Sequence, residues 1–236
     1  MQNWNPRIRV GSTIILCSPR RSGKTIFASW LVLNQLQKRT RNIVVFTSGI
    51  NMSAWFFAEH VYTGFYPGKI EKILEHQKDI KNRGEDLQEV VIVLDDLLTS
   101  IRSQKCNDSG MMRSISKYDD TLLKLFTTGR HYKVTLILIS QRIQLIGLNF
   151  LTNCDIFVFF RFPLKRDRKV LIEMLGQYAS EKEIEDFVPH IPDQYQLFVF
   201  QMLESGALKL DNVVFKFRVP EKFVKNLIKL QKRINV

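Results

Sequence analysis

The stretch Cys17-Ser18-Pro19-Arg20-Arg21-Ser22-Gly23-Lys24-Thr25 constrains this chain more than any other. An apolar run, Thr13-Ile14-Ile15-Leu16, leads into it, and a helical pattern starting near Ile26 leads out. A strand, a tight loop and a helix joined at Gly-Lys-Thr form an arrangement that cradles phosphate groups. Consecutive backbone N–H groups curl around the anion at a helix N-terminus, where the dipole favours negative charge. Ser18, Pro19, Arg20, Arg21, Ser22, Gly23, Lys24, Thr25 and Ile26 are therefore the expected phosphate-binding segment. Lys24 is expected at the β- and γ-phosphates of a nucleotide, and the Thr25 hydroxyl at Mg²⁺. Ser18 stands where the pattern G-x-x-x-x-G-K-[ST] has its first glycine. Serine fits there only if the backbone avoids the glycine-only regions. A chance Gly-Lys-Thr in a basic loop is the alternative, and the flanking strand and helix weigh against it.

A second half of such a site follows downstream. Val90-Val91-Ile92-Val93-Leu94 is the most apolar run in the chain and ends in Asp95-Asp96. Carboxylates at the C-terminal end of a central parallel strand sit where ligands bind in open α/β sheets. Asp95 is expected to hold Mg²⁺ and Asp96 to polarise the attacking water. The run Val134 to Ile139 ends in Ser140-Gln141-Arg142, and an amide there can sense a γ-phosphate or orient water. His131, beside a helix end, is assigned no chemical role.

Apolar strands and amphipathic helices alternate along the whole chain, which predicts an α/β fold with a mostly parallel sheet covered on both faces. Residues Arg9 to Leu16, Ile43 to Phe46, Val90 to Leu94, Val134 to Ile139 and Ile156 to Phe160 read as strands. Ser53 to Tyr62 reads as a helix with Trp55, Phe56 and Phe57 as packing anchors, Lys69 to Lys81 as a second, and Ile143 to Thr152 as another. Lys38-Arg39-Thr40-Arg41 reads as a solvated helix end. The long polar segment 97–116 is either a DNA-contacting loop or a surface insertion. Gln196 to Met202 and Val213 to Val219 form a pair of edge strands, followed by a helix from Glu221 whose lysines are either a solvated face or a DNA contact.

With 236 residues, 45% of them hydrophobic and 25% charged, the chain is read as one domain over 1–236. Its core spans about 7–190, and a C-terminal hairpin and helix occupy about 191–236. The formal net charge of +12 points to a polyanionic partner, nucleic acid first, against the plainer alternative of a basic soluble protein. Cys17, Cys106 and Cys154 are scattered, with neither zinc spacing nor a disulfide framework, which fits a reducing interior. No apolar run reaches membrane-spanning length, and the N-terminus has no signal-peptide character.

The order of these motifs resembles the FtsK–HerA superfamily of DNA-pumping ATPases. The phosphate loop and Asp95-Asp96 are common to many nucleotide hydrolases. Thr128-Gly129-Arg130-His131 ahead of Ser140-Gln141-Arg142 is more telling, and looks most like the genome-packaging ATPases of large double-stranded DNA viruses, the poxvirus type. The resemblance covers about Arg9 to Leu171. It implies a three-layer P-loop NTPase fold (RecA/ASCE-like), ATP and Mg²⁺ as cofactors, and double-stranded DNA as partner. It further implies a homo-oligomeric ring, a pentamer or hexamer, in the host cytoplasm or virus factory, with capsid or portal-vertex proteins as further contacts. By resemblance Lys24, Asp96 and Gln141 are catalytic. Asp96 stands where many members carry Glu, one methylene longer, which leaves the base assignment open. Arg168 matches an arginine that reaches a neighbouring subunit's nucleotide, with Arg130 and Arg142 as rivals. Other readings are a cellular or plasmid DNA translocase, a small-molecule kinase, and a non-catalytic DNA-binding assembly protein favoured only by the Ser18 departure.

Overall fold

The computed structural model describes residues 3–49, 52–97, 117–146, 148–151, 153–160, 164–176, 178–187, 196–201 and 213–234. Most of the 97–116 segment, the hairpin connection and Cys106 lie outside them. Eight strands form one sheet: β1 Thr13–Cys17, β2 Ile43–Thr47, β3 His60–Thr63, β4 Val90–Asp95, β5 Val134–Ser140, β6 Ile156–Phe159, β7 Gln196–Gln201 and β8 Val214–Arg218. Their order is β3-β2-β4-β5-β1-β6-β7-β8. The pairs among β1 to β6 are all parallel, and β7 and β8 join antiparallel at one side. The central strands β1, β2, β4, β5 and β6 are apolar almost without a break, as strands covered on both faces must be.

Alternate residues along each strand feed two cores. On one face, Ile14, Leu16, Val45, Val91, Val93, Ile137 and Ile139 meet Phe27, Ala28 and Leu31 of α1 (Lys24–Leu31) and Val224 and Leu227 of the C-terminal helix α7 (Glu221–Ile234). On the other face, Ile15, Cys17, Phe46, Ile92, Leu94, Leu136 and Leu138 meet α2 (Pro67–Asn82), α3 (Lys117–Thr128), the single turn α4 (Leu148–Leu151), α5 (Lys165–Leu175) and α6 (Glu181–Phe187). The result is the three-layer α/β arrangement expected.

Three local expectations are corrected. Ser53 to Tyr62 is not a helix: a short 3₁₀ turn, Met52–Trp55, precedes β3. Val61 and Tyr62 suit a strand, and the free edge of β2 accepts one in parallel register. Ile143 to Thr152 is a 3₁₀ turn, Ile143–Leu145, followed by α4 rather than one helix. The basic end of the first helix is not simply solvated. After a π-helical turn, Val32–Leu36, Arg39 donates to Glu89 at 2.8 and 2.9 Å and also to the Ile8 carbonyl.

Glu89 organises the edge of the sheet where the parallel strands begin. It is buried, and its Oε1 also accepts from the Thr135 hydroxyl at 2.5 Å, which in turn accepts from the Gly11 N–H at 2.9 Å. Removing the carboxylate leaves these donors unmatched. Glu89→Ala is expected to destabilise the fold by about 2 kcal/mol, less than a fully buried pair because Arg39 is partly exposed; chemical denaturation of the purified variant checks it.

Candidate phosphate site at the strand ends

Parallel pairing places the C-terminal ends of β1, β2, β4 and β5 along one edge. β5 lies between β1 and β4, so Cys17 pairs with Ser140, and Asp95 with Ile139. Both ladders continue one step into the loops. Ser18 N–H donates to Ser140 O at 3.2 Å, and Asp96 N–H donates to Ile139 O at 3.1 Å. The loop after β1, the two carboxylates and Gln141 are thereby held side by side.

Within the loop the turn is made by Arg21 (φ 60°) and Gly23 (φ 99°), both left-handed. Ser18 is not among the described residues with positive φ, so the position of the missing glycine needs no glycine. Its side chain is fully buried, and its Oγ has no hydrogen-bond partner. Ser22 Oγ donates to Pro19 O at 2.9 Å, tightening the turn. Phe27 N–H to Gly23 O at 2.9 Å starts α1. Arg20 and Arg21 are exposed, while Pro19, Ser22, Thr25 and Ile26 are half-buried.

Lys24 is buried and folds back over the loop. Its Nζ donates to Ser18 O at 2.6 Å and Pro19 O at 2.8 Å. Burial lowers the pKa of this ammonium below lysine's ordinary value, and the nearby carboxylates of Asp96 and Asp95 act against the shift. A cation drawn out of water and held by carbonyl dipoles is poised for an anion. Behind the loop, burial pushes the Cys17 thiol well above its ordinary pKa, and the negative charge of Asp167 adds to the shift. Cys17 is thus an inert packing residue.

Asp95 and Asp96 face different surroundings. Asp95 is fully buried, and its Oδ2 accepts the Trp55 indole N–H at 3.0 Å. Asp96 is half-buried, and a left-handed backbone (φ 56°) turns it out of the strand. Its Oδ2 accepts from Gln141 Nε2 at 2.8 Å, while Gln141 Oε1 accepts from Arg20 Nε at 2.9 Å. The amide can bridge only this way round, NH₂ to carboxylate and carbonyl to guanidinium. Arg20, Gln141 and Asp96 therefore form one chain across three elements. Thr25 and Asp95 offer only oxygen donors, which suits a hard cation such as Mg²⁺. Among the described residues, no group of three or more His, Cys, Asp or Glu side chains is set to hold a metal by itself, so a cation here would need oxygens from a ligand or water.

The three arginines fall in different places. Arg142 Nε donates to Asp167 Oδ2 at 3.2 Å, within the same chain. Asp167 is buried in the first turn of α5, and its Oδ1 has no hydrogen-bond partner. Arg168 is the next residue, half-buried, on the helix that follows β6 and so near the site edge. Arg130 is exposed in the 3₁₀ turn Gly129–Tyr132, where β5 begins. Gly11 packs there so closely that an added Cβ would lie 2.8 Å from Arg130 Cα. The length of β5, roughly 20 Å, separates Arg130 from Gln141. Lys24, Asp95, Asp96 and Gln141 are brought together, and Arg130 is not.

Sequence reasoning missed Trp55 and Asp167 as partners of the site, and expected Arg20 at the phosphates rather than on Gln141. Trp55 offered the signal of an aromatic run but none of an indole N–H aimed at a carboxylate, because that contact depends on β2 lying beside β4.

The sequence matches no protein-family model and no curated protein. Solved structures do match in fold. The genome packaging NTPase B204 from Sulfolobus turreted icosahedral virus 2, in complex with AMPPCP, superposes with a TM-score of 0.58 at 14% identity, covering 90% of this chain and 100% of that one. The pCW3 conjugation coupling protein TcpA gives 0.60 at 15% identity, over 93% of this chain and 66% of that one. EssC (ATPases 2 and 3) from Geobacillus thermodenitrificans gives 0.64 at 11% identity, over 94% and 43%. At these identities the likeness is one of fold alone, the α/β fold of P-loop NTPases.

Trp55→Phe removes the indole donor from a fully buried carboxylate. It is expected to cost about 2–3 kcal/mol of stability, measured by denaturant titration against the wild-type chain.

Proposed function

We propose that this chain is an ATPase that moves double-stranded DNA, in the packaging of a viral genome. The observation that carries the reading is the meeting of the Lys24 loop, Asp95-Asp96 and Gln141 at one sheet edge, with Gln141 bonded to Asp96. The fold likeness to a viral genome packaging NTPase and a conjugation coupling protein supports the DNA-moving part, as does the +12 charge. No described helix is long and apolar enough to cross a membrane. The protein is proposed to work inside the host cell.

In this reading residues Ser18 to Ile26 hold the phosphates through backbone N–H groups, and Lys24 turns from its two carbonyls to the β- and γ-phosphates. Thr25 and Asp95 would hold Mg²⁺, which when bound neutralises charge on the phosphate oxygens. Asp96 takes the proton of the water whose oxygen attacks the γ-phosphorus, as the bond to the bridging oxygen of the ADP leaving group breaks. Gln141 holds Asp96 in line and senses the γ-phosphate. Arg168 is the proposed trans-acting finger. Arg142 is less suited because Asp167 of its own chain engages it. A residue needed by a neighbour implies heterologous packing, which closes into a ring, here taken as a pentamer or hexamer.

Two sets of outcomes check this. Lys24→Ala is expected to abolish ATP turnover. Asp96→Asn keeps nucleotide binding but loses hydrolysis, and Asp95→Asn weakens Mg²⁺-dependent binding. Calorimetry beside phosphate release separates them, and wild-type turnover in folded Lys24→Ala refutes the site.

For the ring, Arg168→Ala is expected to lose about 10³-fold or more in hydrolysis. Mixing it with Lys24→Ala, which supplies arginines but cannot hydrolyse, should restore part of the activity. Normal turnover by Arg168→Ala alone, or a dead mixture in which mixed rings form, removes Arg168 from the role.

A further inference from the structure

The C-terminal helix α7 has a distribution of charge that the proposed site leaves unused. Lys222, Lys225, Lys229, Lys232 and Arg233 are all exposed, and the helix has a single acid, Glu221, which pairs with Arg218 at 3.6 Å. At about 3.6 residues per turn the five cations fall within an arc of about 100° and span about 16 Å. Val224 and Leu227 lie on the opposite side and are buried in the cluster that holds Phe27, Trp30 and Trp55.

That burial decides what the helix can recognise. A basic amphipathic helix meets a bilayer or a partner's groove through its apolar face. Here that face is occupied by α1 and the sheet's own core, and the exposed side carries the five cations beside Asn226 and a single exposed apolar side chain, Leu230. What remains is recognition by charge along a line, and duplex nucleic acid presents one negative charge per ~1.7 Å of its axis, on the order of ten over the length of the stripe.

The elements beneath α7 are those that hold the site. The helix packs on α1, whose first residues are Lys24 and Thr25, and on the Met52–Trp55 turn, whose Trp55 donates to Asp95. We propose that the basic stripe of α7 is a contact surface for double-stranded DNA, and that DNA seated there acts on hydrolysis through α1 and Trp55. The inference rests on the DNA-moving ATPase reading and adds the surface and the route.

The test uses the full chain with Lys225→Gln, Lys229→Gln and Lys232→Gln combined. A random-sequence duplex is the probe, read by anisotropy across a salt series and by phosphate release with and without DNA. Affinity is expected to fall about 10²-fold near 0.1 M salt, and the slope of log K against log salt to become shallower by about 2.7, or ~0.9 per lost phosphate contact. The DNA-dependent increment of hydrolysis is expected to vanish while DNA-free hydrolysis stays the same. The matching triple Lys→Arg variant should retain both. An unchanged slope together with unchanged stimulation in the glutamine triple overturns the proposal while leaving the ATPase reading intact. A wild-type chain that neither binds duplex nor responds to it overturns both. Wild-type capture by phosphatidylserine vesicles in place of duplex overturns the choice of occupant. If the triple variant does not fold, Lys225→Gln and Lys229→Gln singly decide the matter, each shallower by about 0.9 or not.

Discussion

The site depends on where β5 ends. Its last two carbonyls, on Ile139 and Ser140, accept the first N–H groups beyond the neighbouring strands, those of Asp96 and Ser18. Two loops from distant parts of the sequence are thereby fixed to one strand by backbone hydrogen bonds that do not depend on side-chain identity. The residue after those carbonyls is Gln141, whose amide links the two loops again through Arg20 and Asp96. Shifting β5 by one residue against either neighbour would separate Lys24 from the carboxylates and turn every apolar side chain of the strand to the wrong face.

Around this junction the chain buries charge, and each instance is compensated differently. Lys24 uses two loop carbonyls, Asp95 an indole, Glu89 a guanidinium and a hydroxyl, and Asp167 a guanidinium. Only Glu89 is far from the loop, and both of its oxygens accept, from Arg39 and from Thr135. That contrast fits a division between an edge that holds the sheet together and an edge that must change partners when a ligand arrives.

Much of this was legible in the sequence because its signals are local. The apolar strands announce themselves by β-branched runs, and Gly-Lys-Thr between strand and helix carries its own geometry. Asp95-Asp96 and Gln141 could be placed at strand ends because strands stop where polar residues begin. The failures are equally physical. Trp55-Phe56-Phe57 suggested a packed helix, but the open edge of β2 turned the following residues into β3. Arg39 read as part of a solvated helix end and Arg142 as a rival for the trans-acting arginine, and only tertiary contact supplied Glu89 and Asp167. The serine at position 18 read as a defect of the pattern, yet the loop takes its left-handed turns at Arg21 and Gly23 instead.

The indole at the buried carboxylate gives the protein an optical property. The chain's three tryptophans are all buried, but Trp4 and Trp30 sit with Phe27 and Phe217 in an aromatic cluster, whereas Trp55 alone among them has its ring nitrogen against a carboxylate. Indole emission responds to the electric field along the ring. A cation arriving at Asp95 would change that field within hydrogen-bonding distance of a fluorophore. Such occupancy would be read in the intrinsic emission of the unlabelled protein, with Trp30, packed against Phe27 and Phe217, as an internal reference.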